Sequence, residues 1–190
     1  YSDASDGMNI DLSVGTASGA GRLDQLAAME GAVGSSHGDT FAFDAAASDP
    51  GTISGRMFSL DGGEGTDLLD LSGFSRNDVT LDASSATVDL GGGQSFTVEF
   101  SNVETVQFGD ATIAVLQGDH DTYGFGLDDS GRLELSSDGQ SVTLGEDVDD
   151  VAFADGTWSI VRGSDGTDGN DILIGTNGSE ELNGGEGDDV

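Results

Sequence analysis

Cysteine and lysine are absent from these 190 residues, and there are only one proline, one tryptophan and two histidines. No disulfide framework can form, which leaves metal as the available staple for a chain outside the cell, although a cytosolic protein can also lack cysteine. Two histidines, His37 and His120, are too few for a His-rich metal centre, and the H-E-x-x-H pattern of zinc proteases does not occur. There is no run of 18 apolar residues, so no segment reads as a membrane span, and no signal peptide opens the chain. Positive charge is scarce: 37 acids face five basic residues, all arginine, for a net charge of −32. Nucleic acid and anionic membrane surfaces are therefore poor partners. A metal-free chain with this charge repels itself, and bound cations reverse that; adaptation to high salt would also explain the acid excess.

What the chain has is glycine, 32 residues of it, with apolar residues at 35% placed in periodic order, so it is not a disordered linker. The last 28 residues, Gly163 to Val190, repeat every nine: GTDGNDILI, GTNGSEELN, GGEGDDV. Glycine recurs at Gly166, Gly175 and Gly184 and at Gly169, Gly178 and Gly187; an acid recurs at Asp171, Glu180 and Asp189, and leucine at Leu173 and Leu182. The glycines permit a tight turn, and the aliphatic two residues after the acid starts a short inward-facing strand. Two nonapeptides make one coil, so Asp171 and Asp189 should stack with the carbonyls of their turns between them. Such a row needs a hard cation with a preference for oxygen, and Ca²⁺ suits it better than Mg²⁺. The expected ligands are Asp171, Asp189 and the backbone oxygens of Gly166 to Gly169 and of Gly184 to Gly187, Glu186 included, with side-chain oxygens added by Asp168 or Asp165. Glu180 has no matching acid 18 residues earlier, so no second site is expected on that side.

This tail resembles the nonapeptide G-G-x-G-x-D-x-U-x of RTX (hemolysin-type) secreted proteins. One separate copy, GGEGTDLLD, spans Gly62 to Asp70, with Gly63, Gly65 and Asp67 at the ligand positions; the stacking partner of Asp67 is expected in GSSHGDTF, at Asp39. The resemblance implies a bacterial protein exported by a type I secretion system and folding outside the cell, with its secretion signal beyond this segment. The start at Tyr1 and the stop within a repeat suggest a piece of something larger.

The opening stretch alternates Met8, Ile10, Leu12 and Val14, which predicts one half-buried strand. RLDQLAAMEGAV has helical spacing but reads as strand and loop beside the RTX-like repeats. Residues 87–115 and 131–161 form an internal repeat in which Val88 matches Leu133, Val106 matches Val151, Phe108 matches Phe153 and Ile113 matches Trp158. The expected order is degenerate coils over 1–61, the lone nonapeptide and a connection over 62–86, two strand-rich units over 87–161 and the repeat tail over 162–190.

The other motifs take the plainer reading. Asp39, Asp110 and Asp155 follow or adjoin glycine and read as solvated turn acids, and Asp119, Asp121, Asp128 and Asp129 around His120 as an acidic surface loop. GSSHG formally fits G-x-S-x-G with Ser36 as nucleophile, but it runs straight into a strand rather than through a strand-to-helix elbow. Asp49–Pro50 matches the bond at which some RTX proteins cut themselves, and reads instead as a turn after an alanine-rich strand.

The expected fold is all-β, a right-handed parallel β-roll or β-helix-like solenoid with calcium in its Gly/Asp turns. The expected role is that of a secreted or cell-surface calcium-binding module without catalysis. Two alternatives stay open. One is an adhesin or matrix module binding a glycan or protein through Trp158, Tyr123 and Phe125; the other is the non-catalytic C-terminal part of a secreted polysaccharide-acting enzyme or protease. Catalysis on an acidic polysaccharide needs clustered cations, and Arg22, Arg56, Arg76, Arg132 and Arg162 are scattered.

Overall fold

The computed structural model describes residues 1–44, 53–137, 140–175 and 181–190. Asp49–Pro50 and Glu180 lie outside these residues. The chain is nearly all β and folds as two units, Tyr1–Ala111 and Thr112–Val190.

In the first unit the chain passes three times from one sheet to the other. Strand β4 (Gly31–Val33) leads through a turn to β5 (Thr40–Ala42), β6 (Met57–Asp61) to β7 (Leu68–Leu71), and β10 (Gln94–Ser101) to β11 (Thr105–Phe108). Strands β4, β6 and β10 are parallel neighbours in one sheet; β5, β7 and β11 are parallel neighbours in the other, joined there by β1 (Met8–Asp11). The register puts Ile10, Phe41, Leu69 and Val106 side by side. All four are fully buried, as period-2 alternation requires of one face of a sheet. Between the sheets Phe96 sits among Phe43, Phe58 and Phe74, with ring centroids 5.4, 6.1 and 5.8 Å away. Edge and tilted contacts of this kind add to the area that they bury.

The parallel strands are not a continuous parallel solenoid. Antiparallel hairpins are spliced between them: β1 pairs with β2 (Thr16–Gly19) and β2 with β3 (Arg22–Gln25), while β8 (Val79–Leu81), β9 (Ser85–Gly91) and β10 form a meander, and the sheets stay open. The alternation from Met8 to Val14 is interrupted for the same reason. Asp11 Oδ1 accepts hydrogen bonds from the amides of Ser13 and Val14 and from the Ser13 hydroxyl, folding the chain into the β1–β2 turn. Met8, Ile10 and Leu12 are buried, whereas Val14 is 51% exposed. RLDQLAAMEGAV supplies β3 and β4 with a loop between them and no helix.

In the second unit β12 (Thr112–Val115), β16 (Asp150–Phe153), β17 (Gly156–Arg162) and β18 (Asp171–Ile174) form one sheet, and β13 (Gly124–Leu127), β14 (Leu133–Ser137) and β15 (Gln140–Thr143) a three-stranded meander. Leu133, Leu135, Val151, Phe153, Trp158 and Ile172 form its core.

Strands β8 to β12 and β13 to β17 follow in the same order, and a short 3-10 turn precedes each series, at Arg76–Asp78 and His120–Thr122. Asp110 accepts hydrogen bonds from the Ser75 hydroxyl and the Arg76 amide; Asp155, its match in the repeat, accepts from the His120 amide and ring at 3.0 and 2.7 Å. The Arg76 guanidinium lies 5.7 Å from the Phe108 ring centroid, and the His120 ring 6.4 Å from that of Phe153. The structural likeness therefore reaches back to residues 75 and 119, beyond the match that is visible in sequence. Asp110 and Asp155 are exposed turn acids, as expected, and they also clamp these turns.

Candidate metal centre

Four six-residue turns share one construction: Gly34–Asp39 and Gly62–Asp67 in the first unit, Gly166–Asp171 and Gly184–Asp189 in the second. Each ends in an acid; Asp39 and Asp67 directly precede a strand and Asp171 opens one. In both units the turns lie side by side through the same pair of hydrogen bonds, one accepted by a carboxylate and one by a backbone carbonyl. The Asp39 amide donates to Asp67 Oδ1 at 2.7 Å and the Leu68 amide to the Asp39 carbonyl at 2.9 Å. Likewise the Asp171 amide donates to Asp189 Oδ1 at 3.1 Å and the Val190 amide to the Asp171 carbonyl at 2.9 Å.

In the first unit the row is longer. The Met8 amide donates to Asp39 Oδ1 at 2.6 Å, and the Asp67 amide to Glu104 Oε2 at 2.8 Å. The third turn is shortened to Asn102–Glu104, with Asn102 at φ 51°, and the extra methylene of glutamate lets the carboxylate reach across. Asp39, Asp67 and Asp171 are buried, at 1%, 1% and 0% exposure. The expectation that Asp39 is a solvated turn acid is thus corrected: stacking of neighbouring turns covers it.

Glycine at the second turn position is set by geometry. Gly63 and Gly185 have φ of 99° and 94°, and a Cβ on either would strike the carbonyl oxygen of the facing turn, that of Ser35 or Thr167. Gly65 and Gly187, at φ 135° and 129°, stand in the same way against the carbonyls of His37 and Gly169. A Cβ on Gly166 or Gly184 would strike the carboxylate of Asp171 or Asp189. Backbone oxygens and carboxylates therefore stand close against these glycines.

The carboxylates differ in what satisfies them. Asp39 Oδ2 accepts from the Ser35 amide at 2.6 Å and its hydroxyl at 3.1 Å; Asp171 Oδ2 accepts from the Thr167 amide at 2.5 Å and its hydroxyl at 3.1 Å. Asp67 Oδ2 has no hydrogen-bond partner although it is buried. Burial pushes the Asp67 carboxyl up; the Asp39 amide opposes this, Glu104, Asp39 and Asp61 add to it, and the result is a pKa of about 6. A buried, unpartnered carboxylate oxygen is costly unless something positive meets it.

Of the residues expected to hold metal, the structure brings together Gly166, Gly169, Asp171, Gly184, Gly187 and Asp189 in one stack. In the other it brings Gly63, Gly65 and Asp67 against Asp39. Asp168 and Glu186 are exposed, and Asp165 precedes its turn, bridged to Asn183. Among the described residues no three His, Cys, Asp or Glu side chains converge as a metal group. A cation here would rest mainly on carbonyl oxygens, which suits Ca²⁺ and not Zn²⁺. Asp67 Oδ2 and the crowded carbonyls fit such an ion.

Sequence reasoning missed Ser35, Thr167 and Glu104. The first two carried a signal, since both occupy the second position of a turn whose repeat favours glycine there. Comparison with family models, with curated proteins and with solved structures returns no significant match.

Proposed function

We propose that this chain is a calcium-binding β-roll module of the RTX kind, whose parallel coils close when calcium fills the gaps between stacked turns. The observation that carries the reading is Asp67 Oδ2, buried without a donor near the Asn102 carbonyl oxygen. Ca²⁺ accepts such irregular oxygen sets, whereas Mg²⁺ demands a regular octahedron and sheds its water reluctantly. With a net charge of −32 the metal-free chain is held open by its own acids, and calcium stabilises the closed form by binding it preferentially. This matches a secreted protein that crosses a type I apparatus unfolded and folds in extracellular calcium. Function is then structural, with no catalysis assigned to these residues.

The glycan-binding alternative needs an exposed aromatic row, which the described residues do not offer: Trp158 is 1% exposed, and Tyr123 and Phe125 pack on the same core. A polysaccharide-acting site needs gathered cations. Arg56 pairs with Glu30 and Arg132 with Asp128, while Arg76 donates to the Val79 carbonyl.

The test is circular dichroism and thermal melting in EDTA, in millimolar Ca²⁺ and in equal Mg²⁺, with molar NaCl as the screening control. The reading expects cooperative melting to appear or rise sharply with Ca²⁺ and not with Mg²⁺. Identical melting in EDTA and Ca²⁺ overturns it.

A further inference from the structure

Each stack pairs two unlike turns. One has Ser35 or Thr167 at its second position, and that residue's amide and hydroxyl both reach the turn's own acid, Asp39 or Asp171. Asp39 is satisfied twice over, since the Met8 amide takes its other oxygen. The second turn has Gly63 or Gly185 there, with positive φ, and no hydroxyl. Its acid receives one hydrogen bond, from the neighbouring turn to Oδ1 of Asp67 or Asp189. Asp67 Oδ2 is left buried and unpartnered, and both it and the Asn102 carbonyl oxygen stand where a Cβ on Gly62 would lie. Asp189, by contrast, is exposed, so solvent reaches its carboxylate.

We propose that in the first unit a cation enters at the double-glycine turn, at Asp67, and that Ser35 is a built-in cap that satisfies Asp39 without metal, as Thr167 does for Asp171. The inference rests on the calcium reading and narrows it. A hydroxyl plus an amide supplies two donors to a carboxylate oxygen, the same need that a cation meets at the uncapped acid. The first stack would then set one turn closed by the chain itself beside one turn closed by an ion. Ser35 is a positioning residue in this scheme, holding the capped turn in place as a fixed wall for the ion at its neighbour.

Calorimetric titration of the whole chain with CaCl₂, with melting at saturating Ca²⁺, separates the outcomes. Asp67→Asn should remove one bound equivalent of calcium. Asp39→Asn and Asp171→Asn should keep the wild-type number of equivalents. Because those acids are buried and their replacement threatens the fold itself, Ser35→Ala and Thr167→Val provide a milder pair, expected to lower the melting temperature by about 2–4 °C with the equivalents unchanged. Loss of an equivalent on Asp39→Asn or Asp171→Asn, or on removal of either hydroxyl, overturns the inference and leaves the calcium reading standing. Absence of any calcium heat in the wild type overturns both.

Discussion

The Asp39 amide donates to Asp67 Oδ1 at 2.7 Å across 28 residues of sequence, and the Asp67 amide donates in turn to Glu104 Oε2 at 2.8 Å across 37. Each acid in this row covers the amide of the turn before it. The row so formed ties three successive crossings between the two sheets of the first unit, and within it Asp67 Oδ2 is a buried carboxylate oxygen without a partner.

The glycine at the second position of the uncapped turn should be irreplaceable. Gly63→Ala must strain a φ of 99° and strike the Ser35 carbonyl, so a loss above 2 kcal/mol, roughly, is expected by chemical denaturation. Gly91→Ala, with φ 79° but open space around it, meets the strain alone and should cost about 1 kcal/mol. Equal losses at the two positions would show that carbonyl crowding contributes nothing.

Stability without calcium should fall as pH rises between about 4 and 6. Folded Asp67 holds its proton up to about pH 6, whereas the unfolded chain releases it near 3.8. The folded state thus binds more protons across that window, and raising the pH favours unfolding there. Asp82, Asp110, Asp128 and Asp155 are shifted downward and act with the opposite sign, at lower pH. Urea midpoints measured in EDTA with molar NaCl should show the fall in the wild type and its loss in Asp67→Asn.

Phe96 is the common neighbour of three other phenylalanine rings and is 1% exposed. Phe96→Ala should cost about 3–5 kcal/mol through lost burial and the cavity left behind. Phe96→Leu, which keeps most of the volume, should recover over half of that in the same denaturant series.

Trp158 is the only tryptophan, is buried, and donates its indole N–H to the Asp188 carbonyl at 2.9 Å, inside the last glycine turn. Its fluorescence should therefore follow the ordering of Gly184–Asp189 as well as unfolding of the core. Calcium added to the protein in EDTA should shift the emission to shorter wavelength and reduce iodide quenching. An emission that stays constant while calorimetry records binding would mean that the last turn orders without engaging the indole.

Part of this was readable along the chain. Alternation marked Met8, Ile10 and Leu12 as one buried face, the nonapeptide period placed Gly184, Gly187 and Asp189 in one turn, and GGEGTD marked Asp67. Each of these depends on the local repeat of a strand or on residues within one turn, which neighbours in sequence specify. Asp11 illustrates the limit, because its side chain ended the strand before Val14 through three local hydrogen bonds that alternation does not encode.

What the tertiary structure alone decided is which carboxylate oxygens are satisfied. Composition and period marked these turns as acidic; they did not distinguish Asp39 from Asp67. That difference arises because parallel pairing of β5 with β7 sets turn against turn with a fixed register. A serine hydroxyl then closes one acid, while the glycine opposite, at positive φ close against the serine's carbonyl, has no hydroxyl to offer and leaves the other open. Register between strands far apart in sequence is a property of the packed sheet, and the chemistry of the site follows from it.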